Sequence, residues 1–207
     1  MQSDYNRKII IYTLEHTLKI DTQSGLLTSL SDQKRGAVLY SPSPHCDQRP
    51  VGSEINLVVV HGISLPPGQF GTDAVEVFFS GQLDKTVHPY FEQIAHLKVS
   101  SHLFIKRTGE IVQFVPFTER AWHAGESSFQ GKTRCNDFSI GIELEGTDEI
   151  PYDQRQYDQL AHVIRLLMQA YPAISLDRVV GHEEIAPGRK TDPGPVFDWT
   201  YLKGKLA

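Results

Sequence analysis

Three side chains of types that commonly bind zinc stand out by their position: His61, His182 and Asp192. The two histidines each lie just past a run of β-branched residues that predicts a strand, 57–60 for His61 and 178–180 for His182. Because open sheets gather functional groups at the carboxyl ends of their strands, neighbouring strands could bring both imidazoles together. Two imidazoles and one carboxylate leave one position of tetrahedral zinc open, as in catalytic sites. We therefore predict one zinc ion per chain.

The loop that carries Asp192 holds a second group suited to this chemistry. Residues 189–195 contain two prolines and a glycine, which favour a stiff segment. In an extended segment alternate side chains share a side, so Lys190 and Asp192 are predicted to face one site. Calcium would need more oxygen ligands, and a redox metal would favour a thiolate or a third histidine, so zinc fits this set best. Zinc lowers the pKa of a bound water to about 7, which makes hydrolysis the expected chemistry.

A predicted strand at 139–145 presents a candidate general base. Its apolar residues alternate onto one face, which leaves Glu143 on the other face beside Gly141. A glutamate on the open face of a strand is usually solvated, and Glu145 shares that face. The spacing alone leaves open whether Glu143, Glu145 or neither carboxylate takes part.

The remaining pattern predicts strands and helices that interleave along the chain. Apolar runs at 102–105 and 111–115 flank a glycine-containing turn and predict a hairpin. A short helix is predicted at 75–79, with Asp73 as its cap, and a long one within 153–171, whose start resembles a capping box. This order predicts an α/β (α+β mixed) fold, a single domain with a central mixed β-sheet flanked by helices.

Composition narrows the class of protein. The 207 residues carry a formal net charge of -5, which argues against nucleic-acid binding. Cys46 and Cys135 are too few for a disulfide framework and are compatible with a reducing compartment, although one bridge between them stays possible. The apolar run at 8–12 is too short for a signal peptide, and no stretch approaches the roughly 20 residues of a membrane span. We expect a soluble cytoplasmic protein.

The amino-terminal segment has the weakest pattern. Residues 1–40 show apolar clusters without a strong period, and the prolines between 41 and 50 favour an extended lead-in. We therefore divide the chain into an N-terminal extension of unknown role, residues 1–40, and a catalytic domain, residues 41–207.

Several longer segments resemble one family of enzymes. They are VVH at 59–61, SLPPG at 64–68, AWHAG at 121–125, CNDFSIGIELEG at 135–146, GH at 181–182 and DW at 198–199. Together they resemble the AmpD family, the zinc-dependent 1,6-anhydro-N-acetylmuramyl-L-alanine amidases of cell-wall recycling. The resemblance runs from about residue 41 to residue 199, and it implies the fold of peptidoglycan-recognition proteins and of the phage T7 lysozyme amidase.

Carried over position by position, the resemblance implies a role for five residues. His61, His182 and Asp192 would be the zinc ligands, Glu143 the proton acceptor and Lys190 the stabiliser of the transition state. The implied reaction is hydrolysis of the amide bond between the N-acetylmuramyl (1,6-anhydro) lactyl group and L-alanine in soluble muropeptides.

Four further residues are candidates for contact with that substrate. A muropeptide carries several carboxylates, so a net acidic protein needs local cations, and Arg134 and Lys98 are the candidates. An ordinary solvated role is the alternative for each. Trp122 and His123 could form a wall against the sugar or peptide, with a place in the core as the alternative for the tryptophan. We predict no nucleic-acid, membrane or obligate protein partner.

Two other functions are compatible with parts of the same pattern. A non-catalytic peptidoglycan-binding module would use the same cleft without cleavage, and it predicts a broken ligand set. An autolysin would cut polymeric peptidoglycan and would normally be exported. The complete set of candidate groups favours the enzyme over the module, and the unconvincing export signal disfavours the autolysin.

Overall fold

A computed structural model describes residues 18–29 and 38–207 and shows a mixed α/β fold. The predicted apolar run at 8–12 lies outside the described residues. The strands are β1 (Leu18–Asp21), β2 (Leu26–Ser29), β3 (Leu39–Tyr40), β4 (Cys46–Gln48), β5 (Leu57–Ile63), β6 (Leu103–Ile105), β7 (Ile111–Gln113), β8 (Glu119–Ala121), β9 (Ser128–Phe129), β10 (Lys132–Thr133), β11 (Ser139–Glu145) and β12 (Val179–Gly181). The helices are α1 (Ala74–Phe79), α2 (Pro89–Ile94), α3 (Gln154–Ala170), α4 (His182–Ile185) and α5 (Trp199–Leu206).

The central sheet has six strands in the order β12-β5-β11-β6-β7-β3. The first four run parallel to their neighbours, β6 and β7 are antiparallel, and β3 is parallel to β7. The remaining strands form three two-stranded pairs outside this sheet. The predicted fold class, with a central mixed sheet flanked by helices, is confirmed.

The two central strands, β5 and β11, are buried on both faces along most of their length. Their pairing continues beyond the apolar run, with His61 opposite Glu143 and Ile63 opposite Glu145. His61 therefore lies within a strand, and the prediction that the strand ends before it is wrong. The hydrogen-bonded ladder overrides the loss of hydrophobicity at this position, because the partner strand is equally long.

The predicted hairpin is confirmed as β6 and β7. The amide of Lys106 donates to the carbonyl of Glu110, and Gly109 supplies the positive φ, 85°, that the turn needs. Helix α1 begins after Asp73 as predicted, but the Asp73 side chain makes no capping hydrogen bond.

The long helix α3 covers one face of the sheet. Its capping box is confirmed: the Asp153 carboxylate accepts from the amide of Arg155, and the Gln156 side chain accepts from the amide of Asp153. The apolar side of α3 packs into a core that also contains Leu18 and Leu27 of the β1–β2 hairpin. The boundary at residue 41 stays a prediction, while residues 18–29 pack onto the same core as the sheet.

Both cysteines are free, Cys135 buried and Cys46 partly buried. Within residues 18–29 and 38–207, no helix is both long enough and apolar enough to cross a lipid bilayer.

Candidate active site

Three side chains converge at the edge of the sheet where β12 and β5 run side by side. The Nδ1 atom of His61 lies 2.9 Å from the Nδ1 atom of His182. The Asp192 Oδ2 atom lies 3.2 Å from the first nitrogen and 3.1 Å from the second. The structure thus brings together the three ligands predicted from the sequence, as a group able to hold a metal ion.

The spacing of these atoms fits zinc. With zinc–ligand bonds of about 2.0–2.1 Å, the donor atoms of a tetrahedral site lie about 3.3 Å apart. The three separations, 2.9–3.2 Å, are close to this value. Two imidazole nitrogens and one carboxylate oxygen are also the donor types that zinc prefers. The residues present therefore fit the metal that the resemblance implies.

Electrostatics keep the cluster in the protonation state that a metal needs. Burial lowers the pKa of His61 to about 4, despite the opposing influence of the nearby Asp192 carboxylate, so its imidazole is neutral at neutral pH. Burial alone would raise the pKa of Asp192, but its polar contacts with the Nδ1 atoms of His182 and His61 outweigh it and hold that pKa well below its usual range. The carboxylate is therefore charged.

Each ligand is held by a different element. His61 lies on β5, His182 is the first residue of α4 directly after β12, and Asp192 lies in the following loop. The amide of Glu183 donates to the carbonyl of Asp192 over 3.1 Å, which fastens the loop to the start of α4. This bond joins Asp192 to the residue that follows His182, so it helps to hold two candidate ligands ten positions apart in one place.

Glu143 and Glu145 differ in how their carboxylates are satisfied. Both are buried, and the predicted open face of β11 is covered. One carboxylate oxygen of Glu145 accepts from the amide of Gly71 and the other accepts from the amide of Arg107. Glu143 instead lines the cleft beside the ligand cluster, and its buried Oε2 atom has no hydrogen-bond partner. Of the two carboxylates, Glu143 is the one free to act.

The surroundings of Glu143 shift its protonation. Burial raises its pKa well above the usual range, the charge of Asp192 adds to this, and Lys190 opposes it. Lys190 and Asp192 both line the cleft, as the alternation in the loop predicts. The cleft therefore brings the three candidate ligands together with the carboxyl group of Glu143 and the ammonium group of Lys190.

The cleft has a volume of about 390 Å³ and is lined by both charged and apolar groups. The apolar part of its lining, called the apolar wall below, was not predicted from the sequence, because α1, α2 and the segments around them contribute it jointly. It consists of Leu65, Phe78, Phe79, Tyr90, Ile94, Leu97 and Val99. No local spacing connects these positions, so only the fold assembles them.

His123 lines the cleft but is buried behind His61. Its Nδ1 atom lies 2.9 Å from Nε2 of His61, and its Nε2 atom lies 3.0 Å from the Ser139 hydroxyl. Both ring nitrogens are therefore engaged within the protein. His102 has a structural role, because its Nδ1 atom accepts from the amide of Gly141 and its Nε2 atom contacts the carbonyl oxygen of Glu119.

The other three predicted substrate contacts are not among the residues that line this cleft. Trp122 stacks on His45 and donates from its indole to Asp47. Arg134, whose side chain is 70% exposed, pairs with Asp137 at 3.3 Å and borders a separate cavity. Lys98 is exposed. The structure does not bring these three residues to the metal cluster.

The chain is similar to amidases that cleave N-acetylmuramoyl-L-alanine bonds. The family model described as N-acetylmuramoyl-L-alanine amidase (Amidase_2) matches residues 51–195. The chain is 58% identical over 166 residues to the 1,6-anhydro-N-acetylmuramyl-L-alanine amidase AmpD of Salmonella typhimurium (strain SL1344), covering 80% of this chain and 88% of that protein.

Solved structures agree with this similarity. The crystal structure of a Se-Met AmpD derivative matches with a TM-score of 0.83 and 52% identity, covering 91% of this chain and 99% of that chain. The amidase AmiD from E. coli, solved in complex with anhydro-N-acetylmuramic acid-L-Ala-D-gamma-Glu-L-Lys, matches with a TM-score of 0.53 and 27% identity, covering 91% and 65%.

Proposed function

Because the chain belongs to the N-acetylmuramoyl-L-alanine amidase family, and within it to the AmpD amidases, we propose that it is a zinc-dependent hydrolase of soluble anhydro-muropeptides. The bond cleaved joins the lactyl group of 1,6-anhydro-N-acetylmuramic acid to L-alanine, as part of cell-wall recycling. The observation that carries the proposal is the convergence of His61, His182 and Asp192 beside the unpartnered carboxylate of Glu143.

The residues of the cleft have different roles in the proposed reaction. His61, His182 and Asp192 would hold the zinc ion, which polarises a carbonyl oxygen and lowers the pKa of water when bound. Glu143 accepts the proton of the attacking water and passes it to the leaving amine of L-alanine, which suits a carboxyl group of raised pKa. Lys190 donates to the oxygen on which negative charge develops.

The charged and the apolar parts of the cleft lining suit a molecule with a sugar ring and a peptide. The apolar wall offers packing surface for the anhydro-sugar and the alanine methyl group. Trp122, Arg134 and Lys98 stay proposals for contact with more distant parts of the substrate. Replacement of Arg134 by glutamate is expected to raise KM for a muropeptide with a longer stem peptide, and an unchanged KM removes Arg134 from the binding site.

The proposed compartment is the cytoplasm. The two free cysteines support it, since thiols persist unpaired in reducing surroundings. Fractionation of cells that produce the full chain, with detection of the intact protein in each fraction, tests this directly.

The decisive experiment combines metal analysis with cleavage. The protein is stripped with a chelator, reloaded with zinc, and incubated with soluble anhydro-muropeptides and, separately, with intact sacculi. We expect one zinc per chain and release of the stem peptide from the soluble substrate, both lost after chelation and in His182→Ala but kept in the control His96→Ala. Zinc binding without cleavage of either substrate would show that the protein is a non-catalytic binding module. Preferential cleavage of sacculi would show that it is an autolysin.

Zinc should also stabilise the folded chain. A ligand present at one hundred times its Kd stabilises a fold by about 2.7 kcal/mol if it does not bind the unfolded chain. The Tm of the stripped protein is therefore expected to rise on addition of zinc, and the same addition to Asp192→Ala should give a smaller rise.

A further inference from the structure

The two candidate histidine ligands make outward hydrogen bonds that select one tautomer for each ring. His182 Nε2 lies 3.2 Å from the carbonyl oxygen of Ala124. A carbonyl oxygen only accepts, so Nε2 of His182 carries the proton, and its Nδ1 presents a lone pair to the cluster. The tautomer of His182 is thus set by a backbone acceptor.

The tautomer of His61 is set by a longer chain of bonds. The hydroxyl of Ser139 donates to the carbonyl oxygen of Cys135 over 2.6 Å. With its proton so placed, the same hydroxyl oxygen accepts from Nε2–H of His123 at 3.0 Å. The Nδ1 atom of His123 is then unprotonated and accepts from Nε2–H of His61 at 2.9 Å. His61 is left with a lone pair on Nδ1, directed at His182 and Asp192.

The atoms that accept from His61 and His182 belong to the consecutive residues His123 and Ala124. Further hydrogen bonds hold this short segment in place. The side-chain oxygen of Asn136 accepts from the amides of both residues, at 3.2 and 2.8 Å. The guanidinium of Arg189 donates to the carbonyl oxygen of Ala124 over 2.6 Å. Gly141 leaves room for the His123 ring, which a Cβ at that position would overlap.

We infer that His123 and Ser139 are positioning residues that fix the tautomer of His61, and that the His123–Ala124 segment is the outer shell of the metal site. This assigns His123 to the metal centre, where the sequence had suggested a wall for substrate. Outer-shell acceptors of this kind orient the ligand ring, and their loss typically weakens metal binding by about 10–100-fold. The inference rests on the proposed function for the identity of the metal.

A direct test reads the tautomers in the unaltered protein. In the zinc-loaded wild type, the nitrogen resonances of His61 and His123 should both show a protonated Nε2 in long-range proton–nitrogen spectra. A proton on Nδ1 of His123 would overturn the inference, whatever the enzyme's activity. This measurement needs no variant and is therefore independent of any effect on folding.

A second test measures zinc affinity by competition with a chelator. Ser139→Ala removes the acceptor for His123, and we expect zinc affinity to fall about 10–100-fold. Ser139→Thr keeps a hydroxyl and should restore much of it. Ser101→Ala is the matched control, because that equally buried hydroxyl donates to the carbonyl of Gly141 over 2.7 Å and contacts neither ligand.

The histidine itself offers a complementary pair of variants. An asparagine at 123 can present its side-chain oxygen near the former Nδ1 position, whereas a leucine cannot accept a hydrogen bond. His123→Asn is expected to bind zinc more tightly than His123→Leu. If these two variants bind zinc equally tightly and Ser139→Ala keeps the zinc affinity of the wild type, the inference about tautomers is overturned but the proposed function is not. A wild type that binds no zinc would overturn the proposed function as well.

Discussion

Glu143 and His61 are register partners on the parallel strands β11 and β5. Side chains at paired positions of neighbouring strands project to the same face, so both line the same cleft. One position therefore carries a candidate metal ligand, and the other carries a carboxyl group whose buried Oε2 atom has no hydrogen-bond partner. Because both strands lie within the sheet, the relative position of the proposed base and the candidate ligand is set by the strand pairing and not by a loop.

Replacement of Glu143 by glutamine should remove the base and leave the metal site intact. We expect kcat to fall by about 10²–10⁴-fold, the typical contribution of general acid–base catalysis, while zinc stays at one per chain. Steady-state cleavage of an anhydro-muropeptide and metal analysis of the same sample measure the two quantities.

The control for Glu143 is Glu145→Gln on the same strand. Its carboxylate holds the amides of Gly71 and Arg107, so we expect mainly a loss of stability, about 1–3 kcal/mol, with a smaller effect on kcat. If Glu145→Gln lost the activity and Glu143→Gln kept it, the roles of the two glutamates would have to be exchanged.

Lys190→Ala should separate turnover from binding. An ammonium group that faces charge developing in the transition state contributes to kcat more than to KM, and its loss is expected to lower kcat by about 10²–10³-fold. Zinc content should not change, because the three ligands remain. The matched control is Lys85→Ala at an exposed position. A Lys190→Ala enzyme with normal kcat would sink the proposed role.

Gly62 and Tyr152 are expected to be coupled energetically. A Cβ at position 62 would overlap the Tyr152 hydroxyl, and the tyrosine ring cannot retreat because it packs directly over Gly146. Gly62→Ala should therefore cost about 1–3 kcal/mol of unfolding free energy, as overpacking does. The Tyr152 hydroxyl also donates to the carbonyl of Pro193, next to Asp192.

A double-mutant cycle measures this coupling. Tyr152→Phe removes the overlapping oxygen, so the cost of Gly62→Ala should be smaller in that background. Urea unfolding of the four zinc-free proteins gives the free energies. Strict additivity of the two substitutions would contradict the packing described.

The thiol of Cys46 should react slowly in the folded protein. Burial, a hydrogen bond to Glu119 and the charge of that carboxylate raise its pKa to about 11. Because the folded pKa is raised, the reactive thiolate makes up about 0.1% of the thiol at pH 8, against about a quarter for an ordinary cysteine.

Titration with a thiol reagent at pH 8 tests this expectation. The native protein should react far more slowly than the urea-unfolded protein, with a rate that rises with pH up to about the raised pKa. Glu119→Gln removes the neighbouring charge and should speed the reaction. A native rate equal to the unfolded rate would show that the thiol is neither shielded nor shifted.

The sequence by itself determined the class of fold and the three candidate ligands that the structure brings together. Strand runs, the hairpin turn and the capping box at Asp153 are local patterns, and local propensity and turn chemistry act over a few residues. The identities of His61, His182 and Asp192 could be found because each lies beside such a pattern. The same reasoning failed at the end of β5, where pairing with β11 extends the strand.

Tertiary structure decided which groups are free and which are engaged. Glu143 and Glu145 are equivalent in the sequence, two positions apart on one face, but only the fold brings the amides of Gly71 and Arg107 to Glu145. His123 likewise became a partner of His61 through a bond that spans 62 positions. Hydrogen-bond satisfaction depends on groups distant in the chain, and for that reason no local pattern could assign it.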